Sequence, residues 1–233
     1  MTISNTGHHR KTEGVPMSPT LTYRDSVAVL DLGADENRFS PEFLAAVDAH
    51  LDTVLADGAT GLITTASGKF YSNGLDLDWL SANGDRTPWY VEQVQGLLAR
   101  VLTLPVPSVA ALPGHAFGAG AMLALAHDQR VMRADRGYFC FPEVDIRVPF
   151  TPALAALVRA KLSAEAVTAA VLTGRRFGGL EAHEYGLVDA TAAAGTEVET
   201  ATALLAPLGA KDQGTLGSIK SVFYADAYTA LIA

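Results

Sequence analysis

The chain has 233 residues, 49% hydrophobic and 18% charged, so it can bury a sizeable core and is not disordered throughout. Its 17 basic and 25 acidic residues give a net charge of −8, and no stretch is basic enough to follow a phosphate backbone, so we expect no nucleic-acid partner. The longest apolar run, 116–126, is shorter than the roughly 20 residues that span a bilayer, so we expect no membrane association.

The predicted elements follow an N-terminal stretch, residues 1–19, which lacks the apolar core of a secretory signal and which we interpret as a flexible tail. From there to residue 150, apolar runs alternate with amphipathic stretches. Strands are predicted at 20–33 (a strand or hairpin), 61–65, 108–112, 130–132 and 138–141. Helices are predicted from the Ser40–Pro41 cap pair to Asp57, at 88–102 and at 116–126, with a short helix at the end of the loop 70–80.

After Pro149 the pattern becomes mainly helical. Helices are predicted at about 152–161, 163–172, 180–185, 196–207 and 215–231. The sequence therefore predicts an α/β core over 20–150, which would hold any active site, followed by a helical region over 151–233.

Several familiar motifs are absent. A dinucleotide-binding fingerprint fails because Leu123 stands where its third glycine is required, and a phosphate-binding loop fails because Phe70 replaces the Ser or Thr that holds magnesium. There is no GxSxG serine elbow and no HExxH pattern, so we expect no metal. The single cysteine, Cys140, cannot form an internal disulfide, which fits a reducing compartment, and we expect a cytoplasmic protein.

Two glycine-containing segments could carry chemistry. In the first, 69–77, Gly74 permits a sharp turn and Asp76 can cap the short helix that follows. In the second, 113–122, small residues lie where a strand meets a helix whose first N–H groups are free. Each segment has a plain alternative interpretation, a surface turn and tight helix packing respectively. Together, two such turns can also form an oxyanion hole, which stabilises charge on a carbonyl oxygen.

A carbonyl held in this way makes its neighbouring carbon acidic, and a carboxylate is then needed to move the proton. The candidate is Glu143, which follows the aromatic run 138–141 and would have a raised pKa if that run buried it. By its position after Pro142 alone, Glu143 would be an exposed loop residue. Asp145 is the nearby rival, and its pattern is more typical of a cap or turn.

These segments, in this order, resemble the crotonase superfamily, the enoyl-CoA hydratase/isomerase family, and most of all its peroxisomal-type enoyl-CoA delta isomerases. The segments FYSNGLDL and GHAFGAGAMLALAHD resemble its two oxyanion-hole regions, and LTGRRFGGLEAHEYGLVD resembles a later family segment. The resemblance covers about residues 21–210. It implies a spiral of ββα turns rather than a plain α/β sheet, with a helical C-terminal region that builds a homotrimer or a dimer of trimers.

The resemblance also implies roles for individual residues. The oxyanion donors would be the backbone N–H groups of Leu75 and Ala119, where alanine replaces the glycine usual in the family. Glu143 would be the catalytic residue. The substrate would contact both turns and the helix behind the second one, through Ser72, Asn73, Gly74, Asp76, Gly118 and Met122.

The family's hydratases use two glutamates, and the position of the first is Met122 in this chain. One glutamate is sufficient for an isomerase, so we expect a Δ3,Δ2-enoyl-CoA isomerase that needs an acyl-CoA thioester and no cofactor. Two alternatives remain open. One is another crotonase-type reaction, hydration or thioester hydrolysis, for which His115 or Asp145 would have to lie across the site from Glu143. The other is a non-catalytic acyl-CoA-binding member of the family.

Overall fold

The computed structural model describes residues 18–233, so most of the predicted N-terminal tail lies outside the described residues. Its strands are β1 (Thr20–Arg24), β2 (Val27–Asp31), β3 (Arg38–Phe39), β4 (Gly61–Thr65), β5 (Phe70–Ser72), β6 (Gly74–Leu75), β7 (Ser108–Leu112), β8 (His115–Phe117), β9 (Gln129–Arg133), β10 (Phe139–Cys140) and β11 (Ala190–Ala192). They form three sheets. The largest has the order β1-β2-β4-β7-β9-β11, in which only the β1–β2 hairpin is antiparallel.

The two smaller sheets hold the turns that matter for function. Strands β5, β8 and β10 form a parallel sheet with β8 in the middle, and β3 pairs in parallel with β6. The chain thus passes repeatedly from a strand of the large sheet to a strand of a smaller one and then into a helix, which is a spiral of ββα turns.

The helices are α1 (Pro41–Ala56), α2 (Leu77–Ala82), α3 (Thr87–Leu102), α4 (Ala119–Ala126), α5 (Glu143–Ile146), α6 (Pro152–Lys161), α7 (Ala164–Val171), α8 (Gly179–Glu184), α9 (Glu197–Leu205), α10 (Gln213–Phe223) and α11 (Ala225–Ile232). The predicted cap at Ser40 is confirmed, because its side chain accepts a hydrogen bond from the Phe43 N–H. Between residues 18 and 233, no helix is both long and apolar enough to cross a membrane.

The large sheet has a different covering on each face. One face packs against the main core, whose centre is α4, a helix in which all eight residues are buried. Such a helix is apolar all round because it is surrounded by protein on every side. The other face carries α9, whose Ala201 and Leu205 pack on Val29, Ile63 and Val109. The site described below lies on the α4 side.

The structure corrects three of the predicted elements. The predicted helix at 116–126 starts only at Ala119, because the residues before it form β8. The predicted loop at 70–80 contains two strands, β5 and β6, before its short helix, and β3 and β11 were not predicted either. The predicted helix at 215–231 is two helices that meet at Tyr224, since α10 is fixed to the loop before β7 through Lys220 while α11 packs on α3 and α6.

Candidate active site

Two tight turns lie against each other at the start of α4. We call Ser72–Asp76 the first turn and Phe117–Gly120 the second turn. A Cβ added at Gly74 would lie 2.8 Å from the Phe117 carbonyl oxygen and 2.9 Å from the Ala119 nitrogen, and one added at Gly120 would lie 2.4 Å from the Ser72 carbonyl oxygen. The two backbones are therefore in direct contact, and only glycine fits at these positions.

The second turn places Ala119 at the first position of α4. Gly118 precedes it with φ 53° and ψ −123°, a conformation open to glycine, and no side chain caps the helix there. The Gly118 N–H donates to the Cys140 carbonyl, N···O 3.0 Å, which fixes the turn to β10. The Ala119 N–H is one of the first four N–H groups of α4, which have no hydrogen-bond partner within the helix. It is thus a suitable oxyanion donor.

The first turn is held from its N-terminal side by polar contacts. The Ser72 hydroxyl donates to the Asn37 carbonyl at 2.7 Å and accepts from the Gly74 N–H at 3.1 Å. The buried Asn37 amide donates in turn to the carbonyls of Phe70 and Gly33, both at 3.2 Å. The Asn73 N–H donates to the Glu36 carbonyl at 2.8 Å. The loop between β2 and β3 therefore fixes the turn up to Gly74.

On its C-terminal side the first turn ends at Asp76. The Asp76 carboxylate accepts from the Trp79 N–H at 3.1 Å, which confirms the predicted helix cap. The Asp76 N–H donates to the hydroxyl of Tyr90 at 2.9 Å. Leu75, the proposed first oxyanion donor, is half-buried between these supports and pairs with Phe39 in the short β3–β6 sheet.

Glu143 lies beside the second turn, at the start of α5. Its Oε1 is 3.2 Å from the place a Cβ would occupy at Gly118. The residue is only 9% exposed, and its Oε2 has no hydrogen-bond partner within the described residues. Burial raises the pKa of Glu143 to about 7. The carboxyl can therefore take up and release a proton near neutral pH.

Glu143 is thus not exposed, although its place after Pro142 is typical of an exposed loop residue. The preceding Phe139 and Phe141 are fully buried, and they draw the segment inward. Asp145, two residues later, is exposed. Its carboxylate oxygen lies only 2.6 Å from the place a Cβ would occupy at Gly174, so it is directed to the loop after α7.

Met122 occupies the other position at which a carboxylate would be expected for hydration. It is 1% exposed on α4 and belongs to the main core. Between residues 18 and 233, the only other buried carboxylate is Glu197, at the start of α9 on the opposite face of the large sheet. Over the same residues, no group of three or more His, Cys, Asp and Glu side chains is arranged to hold a metal ion.

His115 packs against aromatic rings rather than into a polar site. Its ring centroid lies 5.2 Å from that of Phe70, 5.0 Å from that of Phe117 and 5.5 Å from that of Tyr138. Burial is the main cause that lowers the pKa of His115, and the nearby cations Lys69, Arg136 and Arg176 lower it further. A neutral, aromatic-packed imidazole is not the second ionised group that hydration would need.

The structure brings the predicted site residues together in three places. The first turn contains Ser72, Asn73, Gly74, Leu75 and Asp76; the second turn and α4 contain Gly118, Ala119 and Met122; and Glu143 lies beside them. Sequence reasoning missed Asn37 and Tyr90, which hold the first turn from both ends. A pocket of about 770 Å³ opens next to this turn, and Asn37, Asp76 and Trp79 contribute to its lining.

Paired backbone turns beside a buried carboxyl, whose Oε2 has no partner among residues 18–233, are the arrangement expected of an enzyme site that stabilises charge on a carbonyl oxygen and moves a proton beside it. The chain matches the family model described as enoyl-CoA hydratase/isomerase over residues 22–233, and it belongs to that family. The predicted crotonase-type spiral is confirmed by its likeness to solved structures of family members.

Individual relatives agree with this assignment. Enoyl-CoA delta isomerase 3 of Arabidopsis thaliana is 41% identical, with 82% of this chain and 85% of that protein covered. The peroxisomal enoyl-CoA delta isomerase 2 of the same plant is 40% identical over 74% and 76% of the two chains. Among solved structures, an enoyl-CoA hydratase/isomerase family protein from Pseudomonas syringae has TM-score 0.86 and 27% identity, with 91% of this chain and 93% of that chain covered.

Proposed function

We propose that this protein is a Δ3,Δ2-enoyl-CoA isomerase, which moves a double bond in an acyl-CoA thioester. The observation that carries the proposal is the presence of one buried carboxyl, Glu143, at two turns whose second carboxylate position is occupied by Met122. The sequence similarity to delta isomerases, 40–41% identity over most of the chain, supports isomerase chemistry within the family.

In the proposed reaction the thioester carbonyl accepts hydrogen bonds from the N–H groups of Leu75 and Ala119. Glu143, as the carboxylate, removes a proton from C2. The electron pair of that C–H bond moves into the conjugated system, which gives a dienolate whose negative charge lies largely on the carbonyl oxygen. The protonated Glu143 then returns the proton at C4, so the double bond moves from C3 to C2 and the enzyme is restored. No cofactor is consumed, because CoA is part of the substrate.

The raised pKa of Glu143 supports this assignment of acid and base. A carboxyl with a pKa of about 7 can both accept and return a proton near neutral pH. Substrate contacts are proposed for the turn residues Ser72, Asn73, Gly74, Asp76 and Gly118, and for Met122 on the face of α4.

The alternatives require groups that are placed elsewhere. Hydration needs a second carboxylate to hold the attacking water, and Asp145 is exposed and directed toward Gly174. A purely acyl-CoA-binding protein would have no use for a buried carboxyl oxygen without a partner, a group that is costly to keep in a fold.

We also propose that the helical region 151–233 assembles the protein into a homotrimer or a dimer of trimers around the core 20–150. Exposed apolar side chains on α10, above all Val222 at 74% and Phe223 at 81% exposure, support a covered surface there. Light scattering at micromolar concentration should give a trimer or hexamer, and a monomer would contradict the proposal. A cytoplasmic location remains a proposal as well.

The function is tested by Glu143→Gln, which keeps size and hydrogen bonding but cannot accept a proton. Turnover of a 3-enoyl-CoA should fall by about 10²- to 10⁴-fold, while binding of the thioester should change little. Asp145→Asn is the matched control, since it also neutralises a carboxylate on α5 but an exposed one. Wild-type turnover in Glu143→Gln, or an equal loss in Asp145→Asn, would overturn the site assignment.

A further inference from the structure

We propose that Tyr90 is a positioning residue of the oxyanion hole, because its hydroxyl fixes the peptide group that follows Leu75. The proposal rests on the function above, in which the Leu75 N–H binds the thioester carbonyl. It adds to the machinery of the reaction a residue of helix α3, 15 positions beyond Leu75 of strand β6.

The contact that carries the proposal joins α3 to the end of the first turn. The Tyr90 hydroxyl accepts a hydrogen bond from the Asp76 N–H with an N···O distance of 2.9 Å. Tyr90 is fully buried, and its helix α3 packs against α1, α4 and α11. The acceptor is therefore attached to a rigid part of the core, and a displacement of the turn away from it would leave the Asp76 N–H unpaired.

The ring of Tyr90 makes a second contact with the same segment. It stacks on the Trp79 ring, with centroids 5.2 Å apart and planes inclined by 22°. The Trp79 N–H in turn donates to the Asp76 carboxylate at 3.1 Å. Asp76, Trp79 and Tyr90 thus contact one another in all three pairs. In this way Tyr90 fixes both the end of the first turn, at Asp76, and the start of α2, at Trp79.

The position of Leu75 explains why this matters for catalysis. The Leu75 N–H belongs to the peptide after Gly74, a residue with φ +80° and the freedom of glycine. Upstream, the hydrogen bonds of Ser72 hold the turn as far as Gly74. Leu75 itself is paired with Phe39 in the two-residue β3–β6 sheet, which is too short to be a firm support alone. The next fixed group is the Asp76 N–H, which the Tyr90 hydroxyl holds. Loss of the Tyr90 contact therefore leaves only this short pairing to keep the Leu75 N–H directed at the carbonyl.

Tyr90 performs this role as a neutral group. Burial is the largest cause that raises the pKa of Tyr90, to about 12, so the phenol keeps its proton throughout the working range of the enzyme. The hydroxyl does not touch the proposed reacting atoms. It acts through the peptide of Leu75 and Asp76.

The test is Tyr90→Phe, which removes only the hydroxyl. We expect kcat for a 3-enoyl-CoA to fall by about 10- to 10²-fold with little change in KM, as for a small misplacement of a group that acts in the transition state. The matched control is Tyr71→Phe. Tyr71, which precedes the first turn in β5, is also fully buried, but its hydroxyl makes its 2.7 Å hydrogen bond with Thr64 on the large sheet and not with a group of either turn. This control should lose stability but keep kcat.

Hydrogen exchange of the Asp76 amide, measured on the free enzyme, gives a readout that needs no turnover. Exchange should become faster in Tyr90→Phe and stay unchanged in Tyr71→Phe. Tyr90→Met, which also lacks the hydroxyl but adapts to the space, serves if Tyr90→Phe does not fold.

The two readouts separate the possible failures. Unchanged Asp76 exchange in Tyr90→Phe, or faster exchange with kcat within twofold of the wild type, would overturn the positioning role. An equal fall of kcat in Tyr71→Phe would also overturn the positioning role, because the loss of activity would then follow from general destabilisation of the fold. A wild type without isomerase turnover would overturn the proposed function instead, whatever the exchange result.

Discussion

The first and second turns meet at the same place but are held there by different means. The first turn depends on two side-chain hydroxyls, that of Ser72 within it and that of Tyr90 after it, and the Asn37 amide holds the strand β5 that leads into it. The second turn has no side-chain cap, and it depends on glycines that allow close approach, Gly118 and Gly120. The first turn is therefore fixed mainly by side-chain hydrogen bonds, whereas the second is fixed by the backbone hydrogen bond from Gly118 to Cys140 and by the close contact of its glycines with the first turn.

The difference predicts two kinds of sensitivity. The hydrogen bonds of the first turn can be removed one at a time, so each removal should lower stability and activity by a moderate amount. A close backbone contact fails at once when a methyl group is added, because a Cβ 2.4 to 2.8 Å from a carbonyl oxygen forces one backbone to move.

Gly120→Ala should have the largest effect. The new Cβ would lie 2.4 Å from the Ser72 carbonyl oxygen and would force the turns apart. We expect a loss of stability of roughly 1–3 kcal/mol. We also expect a fall in kcat/KM of about 10²-fold or more, since both proposed oxyanion donors move. Gly96→Ala on α3, where a Cβ meets nothing within 4 Å, is the control and should stabilise the protein. Near-normal activity of Gly120→Ala would contradict the contact between the turns.

The pH dependence tests the carboxyl beside the second turn. Since Glu143 has a pKa of about 7, kcat/KM for a 3-enoyl-CoA should fall about tenfold per pH unit below 7 and level off above it. The folded state holds the proton more tightly than the unfolded chain. Relative to Glu143→Gln, the free energy of unfolding should therefore decrease as pH rises from about 4.5 to about 7. A flat rate profile between pH 5 and 8 would be inconsistent with Glu143 as the base.

Asn37→Gly should have a smaller, graded effect on the first turn. Asn37 has φ +50°, which glycine also adopts freely. The substitution therefore removes the amide's hydrogen bonds to the Gly33, Phe70 and Tyr71 carbonyls, and it keeps the backbone carbonyl that accepts from Ser72. We expect a loss of about 1–3 kcal/mol, because buried carbonyls lose their donor. The fall in kcat should be smaller than that of Gly120→Ala. Steady-state kinetics of both variants with a 3-enoyl-CoA measures this difference. A loss equal to that of Gly120→Ala would remove the distinction between the two turns.

Met122→Glu should have the smallest effect, a gain of slow hydration of a 2-enoyl-CoA. It supplies the second carboxylate that the hydratases of the family use. The cost is lower stability, because a carboxylate enters the core at a position that is 1% exposed. Product analysis by mass spectrometry, with Met122→Gln as the matched variant without a charge, should detect 3-hydroxyacyl-CoA only in the glutamate variant. Hydration by both variants, or by neither when they fold, would contradict the account of Met122.

Much of the site could be predicted from the sequence, because its signals are local. Gly74 and Gly118 mark turns by residue type, and the Asp76 cap joins residues only three positions apart. The contacts of Asn37 and Tyr90 could not be predicted in the same way. They join Asn37 to Ser72 and Tyr90 to Asp76, residues 35 and 14 positions apart, and neither partner has a distinctive pattern.

The burial of Glu143 could not be predicted from its neighbours either. Proline before glutamate is typical of an exposed loop, and only the packing of Phe139 and Phe141 in the core draws the carboxyl inward. For the same reason the break at Tyr224 was missed, since the apolar spacing of 215–231 fits one helix. What divides it is that α10 and α11 are held by different parts of the core.

The central claim is that one carboxyl beside two backbone turns makes this protein an isomerase. The most direct measurement gives the wild-type enzyme a 3-enoyl-CoA and a 2-enoyl-CoA in separate reactions and identifies every product. The account predicts that the 3-enoyl-CoA becomes 2-enoyl-CoA and that neither reaction accumulates 3-hydroxyacyl-CoA. Rapid hydration of the 2-enoyl-CoA without any shift of the double bond in the 3-enoyl-CoA would contradict it.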